Sequence, residues 1–350
     1  MQADFEIIAN NNNITEQIRD RLLELKIVDK QGLDSDELEI QLDDRDGKVE
    51  FPPKGATLRV SLGWMGSGLH YMGTYRVDEI ELSGPPTTLS IKAKPADMRQ
   101  DARSQRSLSY EDTTLAGIVT TIAGRNGWAP VCEVTASVPR SDQIGESDLH
   151  FVTRLARQYG ATATVKDGKL LVLPRDGGKS ASGKSLPVIV LRPSDLDNYR
   201  LTFPDRGSFG KVKASAHDNK TGKQINLEIP NPSDTSAKTG GEHVDRHVYP
   251  NSAAAKAAAQ SRQESLNRST ARGSLTLMGR ADVAAEITIG LMGFKAGADG
   301  NYLIESVAHS YAGKSWVTTI EVNAGNGGKA KVGHKGSKGA STNLAIPAPP

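Results

Sequence analysis

Residues 60–80, VSLGWMGSGLHYMGTYRVDEI, and residues 287–307, ITIGLMGFKAGADGNYLIESV, align without a gap at a constant offset of 227. Five positions are identical: Gly63 with Gly290, Met65 with Met292, Gly66 with Gly293, Gly73 with Gly300, and Tyr75 with Tyr302. Six more exchange like for like, namely Val60/Ile287, Ser61/Thr288, Leu62/Ile289, Val77/Ile304, Asp78/Glu305 and Ile80/Val307. Each copy reads as an alternating apolar strand, a glycine pair around a methionine, a polar connection, and a second alternating strand that begins at the tyrosine. That is the pattern of a β-hairpin. Glycine persists where the backbone needs positive φ or close approach to a neighbour, while the connection between drifts. The chain therefore carries one structural unit twice.

With 350 residues there is room for two or three cores, and 24% charged against 37% hydrophobic residues is the balance of an ordinary soluble protein. No run of eighteen apolar residues exists, so no membrane span is expected. The N-terminus MQADFEII lacks a basic segment followed by an apolar one, so no secretory signal is expected. Cys132 is alone and can form no internal disulfide. A net charge of +2 gives no argument for nucleic acid or an anionic surface as partner.

In chain order, DFEIIA (4–9) alternates as a strand, and TEQIRDRLLELKIVDK reads as a short helix with Ile18, Leu22, Leu23 and Leu25 on one stripe and Thr15 as its cap. Residues 37–44 and 57–62 alternate again, and with the hairpin and TTLSIKA they make a first unit of about six strands over 1–95. From 96 to 188 the texture is α+β. One helix carries Leu115, Ile118, Val119 and Ile122, with Thr113 or Thr114 as cap and Gly124 near its end. A second carries Leu149, Val152, Leu155 and Ala156 and stops at Gly160, and a hairpin then turns at Asp167-Gly168. RDGGKSASGKSLP (175–187) reads as a linker, and 189–324 as a second unit containing an Ala-rich helix capped by Asn251 or Ser252 and closed by Gly273. A polar loop is expected from Pro230 to Gly241, and 325–350 is a flexible Gly/Lys/Pro-rich tail.

A catalytic set is sought without success. Gly63, Gly66, Gly68 and Gly73 lie inside a hairpin rather than before a helix, and no GxxxxGKS occurs, so no nucleotide cofactor is expected. Of the seven histidines, His70, His150, His217, His243, His247, His309 and His334, only His243 and His247 are four apart, and GGEHVDRHVYP reads as a loop with solvated rings rather than a metal-ligating helix. Glu50, Asp78 and Glu305 fall in alternating strands, where an outward polar role explains them without a glycosidase pair. The matched Asp78/Glu305 pair reads as a structural hydrogen-bond acceptor, with contact to a partner chain as the alternative. Cys132 lacks the setting of an activated thiolate; Lys92, Lys94, Arg99, Arg103 and Arg106 read as a solvated basic face, with a partner's acidic surface as the alternative, and Tyr75 and Tyr302 as core, with intersubunit seams as the alternative. No catalytic, cofactor-binding or metal-binding residue emerges.

The opening FPPKGATLRVSL, the hairpin GTYRVDEI, and the segments SLSYEDTTLAGIVTTIAGRNG and ESDLHFVTRLARQYGATATVKDGKLLVL resemble the late control D family over residues 1 to about 325. These are baseplate hub proteins of contractile phage tails and tailocins, related to the hub part of VgrG. The resemblance implies a mainly β chain with an α+β insert and two tandem-related tail-tube-like antiparallel β-barrels. It implies a homotrimer whose six barrels form a pseudo-sixfold ring between the hexameric tail tube and the trimeric central spike, which would be a separate polypeptide. It also implies contacts with other baseplate proteins, no enzymatic role, and a place in the virion tail baseplate after assembly in the host cytoplasm. The competing expectations are a tail-associated peptidoglycan-degrading enzyme on the same scaffold, or a cell-wall-binding module in the 110–173 insert.

Overall fold

The computed structural model describes residues 1–32, 36–96, 104–166, 168–175, 189–204, 209–217, 222–231 and 241–329. The first unit contains β1 (Ala3–Ala9), β2 (Asn12–Asn13), α1 (Thr15–Ile18), β3 (Leu22–Lys30), β4 (Glu37–Asp43), β5 (Thr57–Trp64), β6 (Gly68–Ser83) and β7 (Thr88–Pro95). A middle unit follows with β8 (Gln105–Thr114), α2 (Leu115–Asn126), β9 (Ala129–Cys132), β10 (Ser137–Ser147), α3 (Asp148–Gln158), β11 (Ala161–Lys166) and β12 (Lys169–Pro174). The remainder holds β13 (Ile189–Leu191), β14 (Asn198–Thr202), β15 (Phe209–His217), β16 (Gln224–Pro230), β17 (Gly241–Tyr249), α4 (Ser252–Arg268), β18 (Arg272–Met278), β19 (Thr288–Leu291), β20 (Gly300–Ala312) and β21 (Ser315–Asn323). Among the described residues, strands make up 56% and helices 16%, and most pairings are antiparallel, so the mainly β class expected from the sequence holds.

The duplication extends well beyond the hairpin. Within one 13-stranded sheet the first unit runs β1-β5-β6-β7-β4-β3 and the second β13-β19-β20-β21-β18-β14, which is the same strand order when each unit's strands are counted along the chain. The one difference in direction is at the first strand, antiparallel to its neighbour in the first unit and parallel in the second. Even the irregularities match. β6 shifts register against β7 between Val77 and Glu79, and β20 shifts against β21 between Ile304 and Ser306, so Asp78 and Glu305 are the extra residues of equivalent β-bulges.

The gapless alignment itself needs a correction. It holds for the second strand of each hairpin but not for the first. Leu58 faces Tyr75 while Ile289 faces Tyr302, so Ile289 is the structural counterpart of Leu58 rather than of Leu62. The connection absorbs the slip, with three residues between β5 and β6 and eight between β19 and β20. Gly63 and Gly290 are therefore not equivalent, whereas Gly73 (φ 152°) and Gly300 (φ 120°) keep matching backbone conformations. A Cβ on Gly73 would stand 2.8 Å from the Tyr75 ring, which explains a glycine two residues before a buried tyrosine.

Four cores hold the chain together. One unites Phe5, Ile7, Leu25, Ile27, Leu38, Leu58, Leu62 and Leu89 of the first unit with Tyr311 and Trp316 of the second. Another fills the second unit around Leu275, Ile289, Tyr302, Val307 and Ile320. The middle unit packs the inward faces of α2 and α3 against β11 and β12. A fourth core lies within 209–268, where Ala254, Ala255, Ala258 and Ala259 of α4 pack on the small three-stranded sheet β16-β15-β17. Tyr75 and Tyr302 are both buried core residues, as the sequence suggested.

Several local expectations change. The helix read across residues 15–30 survives only as Thr15–Ile18, and Leu22–Lys30 is strand β3. The physical reason is that Leu25 and Ile27 alternate with polar residues and are buried on both sides by ladder partners, a period of two that the leucine cluster at 22–25 had masked. Thr15 caps nothing; its Oγ1 accepts from the Ile7 amide at 2.9 Å and stitches the turn to β1. Helix α2 is capped by Thr114 and closed by Gly127 (φ 69°), with Gly124 near its end as expected. Asn251 caps α4, which ends at Arg268, because Gly273 already belongs to β18, where its Cβ would fall 2.5 Å from Leu201. The linker, most of the 230–241 loop, Arg99, Arg103, Asp167, His334 and residues 330–350 lie outside the described residues.

Candidate functional site

The chemistry of strand β3 makes it the seam of the molecule. Leu25 and Ile27 point into the first core, while both edges of the strand carry ladders, to β4 on one side and to β20 of the second unit on the other. The pairs run from Leu25 with Tyr311 to Lys30 with Ser306, and beyond them the Gln31 amide donates to the carbonyl of bulge residue Glu305 at 2.9 Å. The bulge thus turns a carbonyl toward the neighbouring unit, and the Glu305 carboxylate, accepting from Asn323 Nδ2 at 2.8 Å, holds the kink. This is the structural acceptor expected for the Asp78/Glu305 pair, seen in the second copy. Trp64 reaches across the same seam, donating from Nε1 to the Gly279 carbonyl at 2.8 Å.

The polar end of β3 also anchors the middle unit. Lys166 at the end of β11 donates to Asp29 at 2.7 Å, and the other Asp29 oxygen accepts the Ala285 amide at 2.7 Å. Glu286 accepts the Gly32 amide, so first, middle and second units meet within a few residues. Burial alone would lower the Lys166 ammonium, but Asp29 and Asp36 beside it hold it above its ordinary value. Burial raises the Glu286 carboxyl. Asp29, Asp36 and Lys166 border a cleft of about 540 Å³ that Tyr75 and His309 also line. A lysine neutralised by carboxylates cannot act as a nucleophile at neutral pH, so the cluster reads as a clamp.

The clamp region has a pH signature. His309 is 2% exposed, with Nδ1 3.0 Å from Thr318 Oγ1, and burial depresses its pKa to about 4. The folded state keeps this ring neutral, so its contribution is complete above pH 6.5 and is lost as pH falls toward 4, by about 3 kcal/mol in all. Asp36 works in the opposite sense. Burial, partly offset by Lys166, lifts its carboxyl to about 6, so folding takes up a proton and stability rises as pH falls from 6 toward 3.8. The two largely cancel between pH 4 and 6. His309→Leu removes one side of the balance, and the variant should gain stability relative to the parent when both are unfolded in urea at pH 6.5 and at pH 4. Equal pH dependence in the two proteins would refute the assignment.

The other residues singled out from sequence do not converge. His243 and His247 lie on strand β17 rather than in a loop; His243 Nε2 accepts from Arg262 and His247 packs on the Tyr249 ring, which accounts for both without a metal. His309, which nothing in the sequence singled out, is the buried histidine of the second unit. Among the described residues no group of three or more His, Cys, Asp or Glu could hold a metal ion, and no helix is long and apolar enough to cross a membrane. Glu50 stands in the loop between β4 and β5, not in a strand. Burial pushes the Cys132 thiol up, away from a reactive thiolate. The described part of the basic run is ion-paired: Lys92 with Glu79 and Glu81, Lys94 with Glu37, and Arg106 with Asp148.

What the geometry offers is a duplicated sheet whose two units are joined by the β3–β20 ladder. The family described as phage tail baseplate hub (GPD) matches residues 50–315. The chain is also 37% identical to the probable baseplate hub protein of Escherichia phage 186, over 91% of this chain and 92% of that one. The chain belongs to the phage tail baseplate hub family. The hub fold agrees with the crystal structure of a 43 kDa tail protein of prophage MuSo2 from Shewanella oneidensis, at a TM-score of 0.69 and 16% identity, covering 93% and 99% of the two chains. It is also shared by the Escherichia coli c3393 protein, a type VI secretion component with structural similarity to the T4 tail proteins gp27 and gp5, at a TM-score of 0.52, 13% identity and 86% and 73% coverage. The hub's seam strand β3 was invisible to sequence reasoning because nothing local marks a strand whose second partner lies about 280 residues away.

Proposed function

We propose that three copies of this hub close into a homotrimeric ring in which each six-strand unit forms one tube-like β-barrel. The ring joins the hexameric tail tube on one face to a trimeric central spike, a separate polypeptide, on the other. The observation that carries this reading is the common strand order of the two units, bulges included. Two equivalent units per chain, taken three times, present six quasi-equivalent positions to one partner and three identical ones to another. On this reading residues 1–95 and 189–324 supply the ring, and 96–188 decorates its outside. The role is structural, carried out in the virion tail baseplate after assembly in the host cytoplasm, in an infectious phage or in a tailocin.

Sedimentation of the purified chain should give three times 37.4 kDa, and averaged images should show six lobes around a hole. A stable monomer at micromolar concentration would count against the ring. Release of muropeptides from cell-wall sacculi by the purified chain would instead establish the enzymatic alternative.

A further inference from the structure

Among the described residues, each unit carries one unpaired ladder edge whose counterpart in its twin is paired. In the second unit the far half of β20 is flanked by β21 on one edge and by β3 on the other. In the first unit the equivalent half of β6, residues 79–83, is flanked by β7 alone among the described residues. Likewise β3 is paired on both edges, while β14, which takes the same place in the second unit, is paired only with β18 among the described residues. We infer that β14 of one hub subunit pairs antiparallel with the far half of β6 of the next, repeating between chains the β3–β20 seam found within one. This rests on the ring reading above and specifies its interface.

The register follows from the internal equivalence. Stepping across the ladders from Ser306 leads through Glu321 and Ser274 to Arg200, and from its counterpart Glu79 through Lys92 and Glu39 to Lys26. Arg200 therefore takes the place of Lys26. Lys26 faces Ser310 across the seam, and the residue equivalent to Ser310 is Ser83. The inferred pairs between subunits are Tyr199 with Gly84, Arg200 with Ser83, Leu201 with Leu82, Thr202 with Glu81, and Phe203 with Ile80. A basic residue stands opposite a serine in both seams.

Nothing in the derivation used side-chain character, yet the pairs sort correctly by face. Tyr199, Leu201 and Phe203 meet Leu82 and Ile80, while Arg200 and Thr202 meet Ser83 and Glu81, with Arg200 diagonal to Glu81. A slip of one residue would set Leu82 against a polar side chain. Exposure agrees. Leu82 is 54% and Tyr199 48% exposed in the single chain, whereas their seam counterparts His309 and Leu25 are 2% and 0% exposed. An open apolar edge of this kind is a template for pairing that proteins otherwise blunt. Because the two edges differ, the contact is head-to-tail and generates a closed ring rather than a two-fold dimer.

The full-length chain carrying Cys132→Ser with Leu82→Cys and Leu201→Cys should give a covalent trimer on oxidation, while Leu82→Cys with Arg200→Cys, whose side chains leave opposite faces, should not. A trimer by light scattering that crosslinks through the second pair, or through neither, overturns the register and leaves the trimeric ring standing; a monomer throughout overturns both. Leu82→Asp and Leu201→Asp should each be monomeric, with the strand signal of the parent retained in far-ultraviolet circular dichroism. Mixed in equal amounts they should form dimers and nothing larger, since each retains the edge the other has lost. Trimers from either variant alone, or no association on mixing, would refute the head-to-tail pairing.

Discussion

Replacing Trp316 with alanine should lower stability by about 3–5 kcal/mol and split one unfolding transition into two. Trp316 lies on β21 of the second unit, yet it is 2% exposed within the core of the first. Its ring centroid is 5.8 Å from that of Trp64, and Phe5 meets Tyr311 at 5.0 Å alongside. The opposite side of the indole is closed by Gly279, where an added Cβ would lie 2.1 Å from Cδ2, so the backbone rests directly on the ring. No neighbouring side chain can collapse into the space of a missing indole against that backbone. The seam ladder would remain, but the packing that makes the two units one cooperative body would not. Calorimetry distinguishes the outcomes: two resolved peaks are expected, and a single peak at the parental temperature would contradict the packing argument.

Asp148→Ala should cost about 2–3 kcal/mol, confined to the middle unit. The carboxylate is fully buried at the first turn of α3 and accepts from Arg125 Nη1 at 2.8 Å, Asn126 Nδ2 at 3.0 Å and Gln143 Nε2 at 3.1 Å. Its removal takes the shared acceptor from all three, leaving Asn126 on the Ile122 carbonyl, Gln143 on the Glu146 carbonyl and a part-exposed Arg125 on the Tyr110 hydroxyl, with an unfilled space where the carboxylate stood. Because the core of the middle unit is built from its own elements, the loss should appear as faster amide exchange over residues 105–174 while the β3–β20 seam stays protected. Equal acceleration in both regions would mean that the middle unit does not open separately.

The Glu146-Ser147-Asp148 run shows how far sequence reading reached. As a motif it was plain, and the helix after it was placed correctly. Its reasons were not readable, because each residue answers to a partner elsewhere: Ser147 caps the His150 amide, Glu146 binds Arg154 at 2.6 Å, and Asp148 turns inward to α2 and β10. The hairpin repeat behaved similarly. Glycine and tyrosine positions on the second strand carried true equivalence, since a positive φ beside a buried ring tolerates no other residue. The first strand, free to slide because a longer loop takes up the difference, matched by chance at Gly63. Strand β3 was mistaken for helix because three leucines within four residues satisfy either period, and only the distant β20 ladder decides between them. The seam and the clamp at Asp29 depend on contacts across more than a hundred residues, which local pattern cannot encode.

The unequal connections of the two hairpins, three residues at 65–67 against eight at 292–299, have a bearing on how the hub would be read by what docks on it. Met65 and Met292 sit exposed at the start of these two tips. Around a closed trimer the tips would alternate short and tall, like a crown with every second point cut down. A tube subunit resting on the sheet walls beneath would meet six alike landings, whereas a three-legged body lowered onto the crown could settle only in orientations a third of a turn apart.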